Sequence, residues 1–279
     1  MEAVETPDFI SLESRRLYCV RHIPPGSPRG VAVVCHPFGE EKKSSHRTLV
    51  DLARALARTG IAAIRFDFSG CGDSSGDLRE ATVEAWKRDV EAALDSLQSL
   101  VKADLPVVVV GLRLGAAIAS EFAADRADVA GLVLWQPIVN GRKAFMADLR
   151  RTLIKQMMTD GSSKVTRDEL LEQLEGGEGE IDLDGFPFTG RLYQGIAGID
   201  LLAQEKPYDG ALAVFQISHN EKLQPDFAQL ADAYRAGGAD VDLQTVVAPP
   251  LWARIERVDC PELIDRTVAW IRDRCEEMA

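Results

Sequence analysis

The feature that most constrains the fold is the stretch PVVVVGLRLGAAIAS, residues 106–120. Its four consecutive valines predict a strand that is buried on both faces, because such a run needs apolar cover on each side. The small residues that follow predict a helix. Between strand and helix, Gly111 and Gly115 each lie two residues from Arg113, which indicates a sharp turn with Arg113 at its apex. A buried strand joined tightly to a helix is typical of an α/β protein.

The rest of the chain alternates in the same way. Short apolar runs predict further strands, and the whole set is 30–38, 61–68, 106–112, 131–138, 211–218 and 242–248. Helical patterns separate them, including one over 46–60. Residues 8–22 alternate around a polar turn and predict an antiparallel hairpin at the sheet edge. The sequence therefore predicts a mostly parallel sheet with helices on both faces.

The alternation breaks over 141–207. Two helical patterns there are followed by a Gly-rich acidic connection at 176–190. We therefore predict a core made of 1–140 and 208–279, with 141–207 inserted as a cap.

Charge and composition exclude several function classes. The 279 residues carry 44 acidic and 32 basic side chains, a net charge of −12, which disfavours nucleic acid and anionic membrane surfaces as partners. No apolar run approaches the roughly 20 residues of a membrane span, and the acidic start does not resemble a signal peptide. The five cysteines are scattered without a CxxC pair, which favours a reducing cytoplasm. We expect no cofactor and no metal ion, and the sequence leaves the oligomeric state open.

Two motifs carry a resemblance to a known superfamily. IRFDFSGCGDSSGD (64–77) and VVVVGLRLGAA (107–117) resemble the strand-and-loop and the nucleophile elbow of α/β-hydrolases. The resemblance implies the α/β-hydrolase fold, with a helical cap inserted after the strand that follows the elbow helix. Four segments (36–47, 111–116, 182–188 and 250–256) further resemble the exosortase A system-associated hydrolases of the second type. That family usually has arginine at the elbow, and it is associated with bacterial exopolysaccharide and protein-sorting loci.

The resemblance also shows which catalytic groups the sequence lacks. Arg113 stands at the nucleophile position, and its guanidinium is protonated and cannot attack an ester. The loop expected to hold the acid has Asn220 and Glu221. The loop expected to hold the base, 246–259, contains no histidine. Because a triad acts as a unit, these differences predict that no Ser-His-Asp mechanism operates, and the catalytic residues, if any, are unknown.

Arg113 itself is the principal candidate for binding. It is predicted at the carboxyl end of a central strand and at the start of a helix, where backbone N–H groups favour negative charge. We expect it to meet an anionic ligand, an internal carboxylate, or both. Glu40 or Glu41 is the preferred internal partner, and the alternative for these two is a solvated cluster with Lys42 and Lys43.

The resemblance suggests roles for residues near the elbow. The loop at 36–39 corresponds to the loop that supplies an oxyanion donor, so Phe38 and Leu114 are candidates for backbone N–H contacts with a ligand. His36 is expected to shape that loop rather than to transfer protons. Asp67 is expected to accept backbone N–H bonds in its own turn.

Further candidates are Asp73, His219 and Trp252, each with a structural role as its alternative. His22 and His46 are interpreted as surface residues.

Three functions are consistent with these residues. The first is an α/β-hydrolase-fold protein that binds a small anionic or acyl-type ligand under its cap. The second is an active hydrolase with a non-standard site, in which Arg113 holds a carboxylate or phosphate while Glu41 or His36 activates water. The third is a non-catalytic structural partner protein.

Overall fold

The computed structural model describes residues 3–12, 14–101, 104–160, 166–254, 256 and 258–277. Its strands are β1 Val4–Leu12, β2 Arg15–Ile23, β3 Gly30–Cys35, β4 Ile61–Phe66, β5 Val107–Leu112, β6 Val129–Trp135, β7 Glu180–Leu183, β8 Phe186–Thr189, β9 Ala211–Ser218 and β10 Asp240–Val247. Its helices are α1 Gly39–Arg58, α2 Val83–Val101, α3 Leu114–Ala124, α4 Gly141–Asp160, α5 Arg167–Glu175, α6 Gly190–Gly198, α7 Pro225–Ala236 and α8 Pro261–Glu277.

Eight strands form one sheet, in the order β1-β2-β4-β3-β5-β6-β9-β10. Six neighbouring strands run parallel to one another, in the order β4-β3-β5-β6-β9-β10. Strand β2 is antiparallel to both β1 and β4. The predicted mostly parallel sheet and the antiparallel edge hairpin are therefore confirmed. The predicted strand 30–38 is too long, because β3 ends at Cys35 and residues 36–38 turn away from the sheet.

The central strands are buried on both faces, as the run of valines predicts. Val107 and Val109 of β5 face a core that includes α2 and α3, while Val108 and Val110 face a second core that includes α1 and α8. All four valines are almost completely buried. Burial on two faces requires helices on both sides of the sheet, and this brings α1 and α3 beside the same strand end.

Helix α1 begins at Gly39, seven residues before the predicted start at 46. Glu40 and Glu41 therefore lie in its first turn and not in a loop. Acidic side chains are favourable there because the first turn of a helix carries a partial positive charge. The helix consequently fixes the position of both carboxylates relative to the sheet.

The connection between β6 and β9 contains α4, α5, a hairpin formed by β7 and β8, and α6. Residues 161–165 of the predicted cap lie outside the described residues. The interpretation of 176–190 as a plain connection is wrong, because it contains the β7–β8 hairpin. Asp184 and Gly185 form the turn with φ of 54° and 87°, which is the backbone of a tight two-residue hairpin. The hairpin is a separate two-stranded sheet.

His22 is completely buried, so its interpretation as a surface residue is wrong. It lies on β2, which pairs with β1 on one side and β4 on the other and is thus an interior strand. His46, in contrast, is exposed on α1, as predicted.

None of the helices in the described part of the chain combines the length and the apolar character needed to cross a bilayer.

Candidate ligand site at the turn after β5

The turn between β5 and α3 has a strained backbone at its apex. Arg113 has φ of 57° and ψ of −116°, and a residue with a side chain in such a region costs about 1–3 kcal/mol. Its N–H donates to the carbonyl of Trp135 at 3.0 Å, and its own carbonyl accepts from Ala116 and Ala117 at 3.1 Å. These bonds hold the strained residue in place at the carboxyl end of the sheet.

The two glycines of the turn are required by close packing. A Cβ atom on Gly111 would lie 2.4 Å from the Cα of Ala116. A Cβ atom on Gly115 would lie 2.4 Å from the carbonyl oxygen of His36. Both obstacles are backbone atoms, which cannot swing away as a flexible side chain can. The turn therefore has the backbone of a nucleophile elbow, with arginine at its apex.

Arg113 forms an ion pair with Glu41. Its Nε donates to Oε1 at 3.2 Å and to Oε2 at 3.4 Å, and the two side chains are only 19% and 17% exposed. Burial raises the pKa of Glu41, and Arg113 opposes that rise. The internal partner is thus Glu41, whereas Glu40 points to solvent and pairs with Lys43 at 2.6 Å.

The terminal nitrogens of Arg113 take no part in its hydrogen bonds to Glu41. Among the described residues, no hydrogen-bond partner contacts Nη1 or Nη2. The guanidinium carbon lies 5.1 Å from the ring centroid of Trp252, a cation–π contact. Trp252 comes from the segment after β10, where the resemblance places the histidine of a triad. Arg113 is therefore held by Glu41 and Trp252 with its two terminal nitrogens left to donate elsewhere.

An apolar pocket lies beside this ion pair. It encloses about 620 Å³ of space, part of it open to solvent. Phe38 contributes one wall and contacts Phe186 and Phe188 of the hairpin, with ring centroids 5.6 and 5.8 Å apart. The other apolar lining residues are Leu114, Ile138, Ala144, Phe145, Leu183 and Ile196. The pocket thus lies between the turn after β3 and the β6–β9 connection.

Carboxylates also line the apolar pocket. The carboxylates in its lining are Glu40, Glu41, Asp148 and Asp184, and the cation Arg151 lies among them. Burial raises the pKa of Asp148, and the nearby Arg151 and Arg113 oppose that rise. Within the described part of the chain, no group of three or more His, Cys, Asp or Glu side chains is placed to hold a metal ion.

A second, polar pocket lies on the other side of Arg113. It encloses about 890 Å³, again partly open, and its polar lining includes Arg113, Gln136, Asn140, Lys143, Gln224 and Asp226. Ile138 and Ala144 line both pockets. Arg113 and Glu41 therefore pair where a ligand could extend from an apolar into a polar space.

His36 shapes the turn after β3. It is buried, its Nδ1 lies 2.6 Å from the carbonyl oxygen of Pro37, and its Nε2 accepts the N–H of Phe68 at 3.1 Å. Burial, together with the nearby Lys42, lowers the pKa of His36 to about 4. Its neutral ring therefore joins two loops, which agrees with the structural role expected for it.

Comparison with known proteins identifies the family. Residues 26–173, more than half of the chain, match the model of the family described as serine aminopeptidase, S33. The chain belongs to this serine aminopeptidase family. The match confirms the α/β-hydrolase superfamily, to which the sequence motifs pointed.

Solved structures support the same fold for this serine aminopeptidase-family chain. A monoglyceride lipase variant from Saccharomyces cerevisiae aligns with a TM-score of 0.66 and 15% identity, covering 98% of this chain and 95% of that one. Est1E from Butyrivibrio proteoclasticus, solved with ferulic acid bound, aligns with a TM-score of 0.65 and 16% identity, covering 97% of this chain and 98% of that one. Mouse α/β-hydrolase domain-containing protein 10 aligns with a TM-score of 0.61 and 18% identity, covering 98% of this chain and 100% of that one. At these identities the likeness shows the fold alone.

A short segment has a higher sequence similarity. It is 46% identical over 56 residues to the mitochondrial palmitoyl-protein thioesterase ABHD10 of Bos taurus. The match covers 20% of this chain and only 17% of the relative's length.

The structure of this family member separates two predicted site residues from Arg113. Asp73 is exposed beside a different cavity, and its N–H donates at 3.0 Å to Asp67, which ties down the turn as expected. His219 is exposed after β9 and lines neither pocket. Glu40, Glu41, Phe38 and Leu114, in contrast, all line the apolar pocket.

Sequence reasoning missed the residues that close the apolar pocket in this family member. Phe186 and Phe188 lie on the β7–β8 hairpin, and Phe145, Asp148 and Arg151 lie on α4. The Asp-Gly pair at 184–185 is a strong hairpin signal and could have indicated the hairpin that carries Phe186 and Phe188. The α4 residues share one helix face by their spacing, but that spacing does not show what the face contacts.

Proposed function

We propose that this protein binds a small acyl-type ligand with an anionic or carbonyl head group. The acyl part occupies the apolar pocket, and the oxygen atoms of the head group accept hydrogen bonds from the terminal nitrogens of Arg113. The observation that carries the proposal is the pair of Nη atoms without a partner among the described residues, beside an aromatic-lined pocket. In this proposal, residues 141–207 act as the cap over the ligand.

Electrostatics at the turn favour a negatively charged head group. Leu114 is the first residue of α3, so its N–H has no acceptor within the helix. The start of the helix adds a partial positive charge next to the guanidinium. A charge-assisted hydrogen bond sheltered from water contributes about 1.5–3 kcal/mol. Glu41 already neutralises part of the Arg113 charge, so ligand and Glu41 share one cation.

The names of two similar proteins agree with an acyl ligand. One is a palmitoyl-protein thioesterase and the other a monoglyceride lipase. The words palmitoyl and monoglyceride both denote acyl compounds, and the aromatic and aliphatic lining of the apolar pocket suits an acyl chain.

A comparison of two ligands of equal chain length tests the proposal. Dodecanoate and dodecanol differ only in the head group, so calorimetric titration of each isolates the contribution of the anion. We expect dodecanoate to bind roughly tenfold more tightly, the equivalent of about 1.4 kcal/mol. Arg113→Met should remove that difference. Arg142→Met removes the same charge from an exposed position on α4 and should preserve it. Equal binding of both ligands by the wild type would refute the role of Arg113.

We further propose that no Ser-His-Asp mechanism operates, and this predicts no reaction with fluorophosphonate probes. The serines of the loop after β4 are engaged in structural bonds. Ser69 donates to Asp89 at 2.6 Å, and Ser75 accepts the N–H of Arg16 at 2.7 Å. No histidine activates either oxygen in these bonds, and an unactivated serine reacts poorly. Mass spectrometry after probe treatment should find the protein unmodified, with an active serine esterase labelled in parallel. Stoichiometric labelling of any serine would show a relocated nucleophile.

A hydrolase with a non-standard site is the second candidate. The observation that favours it is Glu41, a mostly buried carboxylate with a raised pKa beside the elbow. In that reaction Glu41 takes a proton from water, the water oxygen bonds to the acyl carbon, and the departing alcohol or thiol receives the proton. Turnover of an acyl ester that Glu41→Gln abolishes without loss of dodecanoate binding would establish it.

The remaining hypotheses concern the cellular setting. The link to exosortase-associated loci, the cytoplasmic location and a purely structural partner role stay predictions from the sequence. If none of the ligands tested binds to the protein, the structural role would be favoured.

A further inference from the structure

A third cavity lies away from the elbow, between β2, α1 and the loop that follows β4. Tyr18, Lys42, His46, Arg65, Asp67 and Gly72 line it, with Asp73 at the rim. It encloses about 760 Å³, partly open, and shares no lining residue with the apolar or the polar pocket. We call it the Arg65 pocket.

Arg65 is a partly buried cation without a salt bridge among the described residues. Its Nε donates to Nε2 of His22 at 3.2 Å, and neither Nη atom has a hydrogen-bond partner in the described part of the chain. The nearby acids belong to other cations: Lys42 pairs with Asp67 at 2.7 Å, and Arg54 pairs with Glu5. A guanidinium stays charged in proteins, and a buried charge is unfavourable without a counter-ion. The pocket therefore offers a guanidinium whose two terminal nitrogens have no hydrogen-bond partner among the described residues.

Two further side chains that can donate hydrogen bonds, Lys42 and His46, line the cavity beside Arg65. Partial burial of its ring lowers the pKa of the otherwise exposed His46, and the neighbouring Arg65 and Lys42 lower it further, as expected next to cations. Gly72, with φ of 56°, leaves room around the ammonium group of Lys42, because a Cβ there would lie 2.2 Å from Nζ. Three side chains that can donate hydrogen bonds thus surround one cavity in a chain whose net charge is −12.

We propose that the Arg65 pocket binds the phosphate group of a small molecule. The two free Nη atoms of Arg65 form a fork that matches two phosphate oxygens, and Lys42 and His46 donate to the others. Asp67 does not compete for Arg65, because Lys42 and the N–H of Asp73 already engage it. The exposed Asp73 is the opposing charge at the rim. This site is independent of the ligand proposed for Arg113.

Titration with inorganic phosphate at constant ionic strength, followed by calorimetry and ³¹P NMR, tests the proposal. We expect saturable binding by the wild type, and acetate to bind roughly tenfold more weakly because it lacks the extra acceptor oxygens. Arg65→Gln should weaken phosphate binding by roughly tenfold or more. Arg47→Gln, which removes the same charge from an exposed position on α1, should leave binding as in the wild type.

Two further variants keep the result interpretable. His46→Glu places a carboxylate at the exposed edge of the pocket and should abolish phosphate binding even where Arg65→Gln fails to fold. Arg113→Met reports whether phosphate binds at the elbow. The proposal is overturned if the wild type does not bind phosphate, if acetate binds equally well, or if only Arg113→Met loses binding.

Discussion

At the residue scale, Arg113 and Glu41 depend on each other. Removing one partner of a buried ion pair typically costs about 3–5 kcal/mol, but both side chains are nearly one-fifth exposed, so we expect about 1–3 kcal/mol for Arg113→Met. Glu41→Gln should cost less, because burial already disfavours its charged form. The double variant should be more stable than the sum of both losses predicts.

A double-mutant cycle in urea measures this coupling. Glu40→Gln is the matched control, since it removes an exposed carboxylate one residue away and should change the free energy of unfolding by at most about 0.5 kcal/mol. Strictly additive losses for Arg113 and Glu41 would contradict the coupling.

Sequence reasoning could assign a carboxylate partner to Arg113 from the position of its loop, but it could not choose between Glu40 and Glu41. The choice depends on where α1 begins. Because the helix starts at Gly39, successive residues point about 100° apart, and only Glu41 is directed to the elbow.

At the scale of the element, the turn between β5 and α3 depends on Gly111 and Gly115, because neighbouring backbone atoms leave no room for a side chain at either position. Gly115→Ala should destabilise the fold by about 3 kcal/mol, because its Cβ would meet a backbone carbonyl. Gly176→Ala is the control: it caps α5 with an ordinary helical backbone and nothing within 4 Å of the new methyl group. That change should stabilise the protein by about 0.5 kcal/mol.

The urea concentrations at the midpoint of unfolding, compared between wild type, Gly115→Ala and Gly176→Ala, measure these changes in stability. A fully stable Gly115→Ala protein would mean that the turn can relax, and that the strained apex is not fixed by its packing.

Hydrophobic patterns predicted the parallel part of the sheet correctly because its successive strands are short, apolar-rich runs separated by helices. They missed the β7–β8 hairpin because its four-residue strands are too short for a clear alternation, and the surrounding segment is rich in glycine and acidic residues. The local Asp-Gly turn was the better signal there.

At the scale of the whole molecule, two buried histidines should make stability depend on pH. Burial lowers the pKa of both His22 and His36 to about 4, while the unfolded chain titrates near 6.5. Between these values the unfolded state binds protons that the folded state does not, so stability falls as the pH falls from 6.5 towards 4. For His22 the loss reaches about 3 kcal/mol.

Urea unfolding at several pH values measures that slope. His22→Gln should reduce the slope of the unfolding free energy against pH by an amount that corresponds to about one bound proton. His219→Gln, at an exposed position, is the control and should leave that slope as in the wild type. An unchanged slope in His22→Gln would show that another group accounts for the acid sensitivity.

The burial of His22 was not predictable from its own strand. The sequence 8–22 indicated a hairpin at the edge of the sheet, and the hairpin lies there, but only β1 is the edge strand. Which strand of a hairpin is interior depends on pairing with a segment more than forty residues away, and no local pattern contains that information.

The contact between Arg113 and Trp252 has a consequence for engineering. The turn has a strained apex at Arg113 and two close-packed glycines, so a designer need not rebuild its backbone. We expect Arg113→Ser alone to supply a hydroxyl without a proton acceptor, since no histidine of the described residues lines either pocket beside it. Trp252→His would add an imidazole from the side on which the indole now stacks. We therefore expect that serine chemistry at this elbow would need at least these two substitutions, with a carboxylate such as Glu221 left to orient the new imidazole.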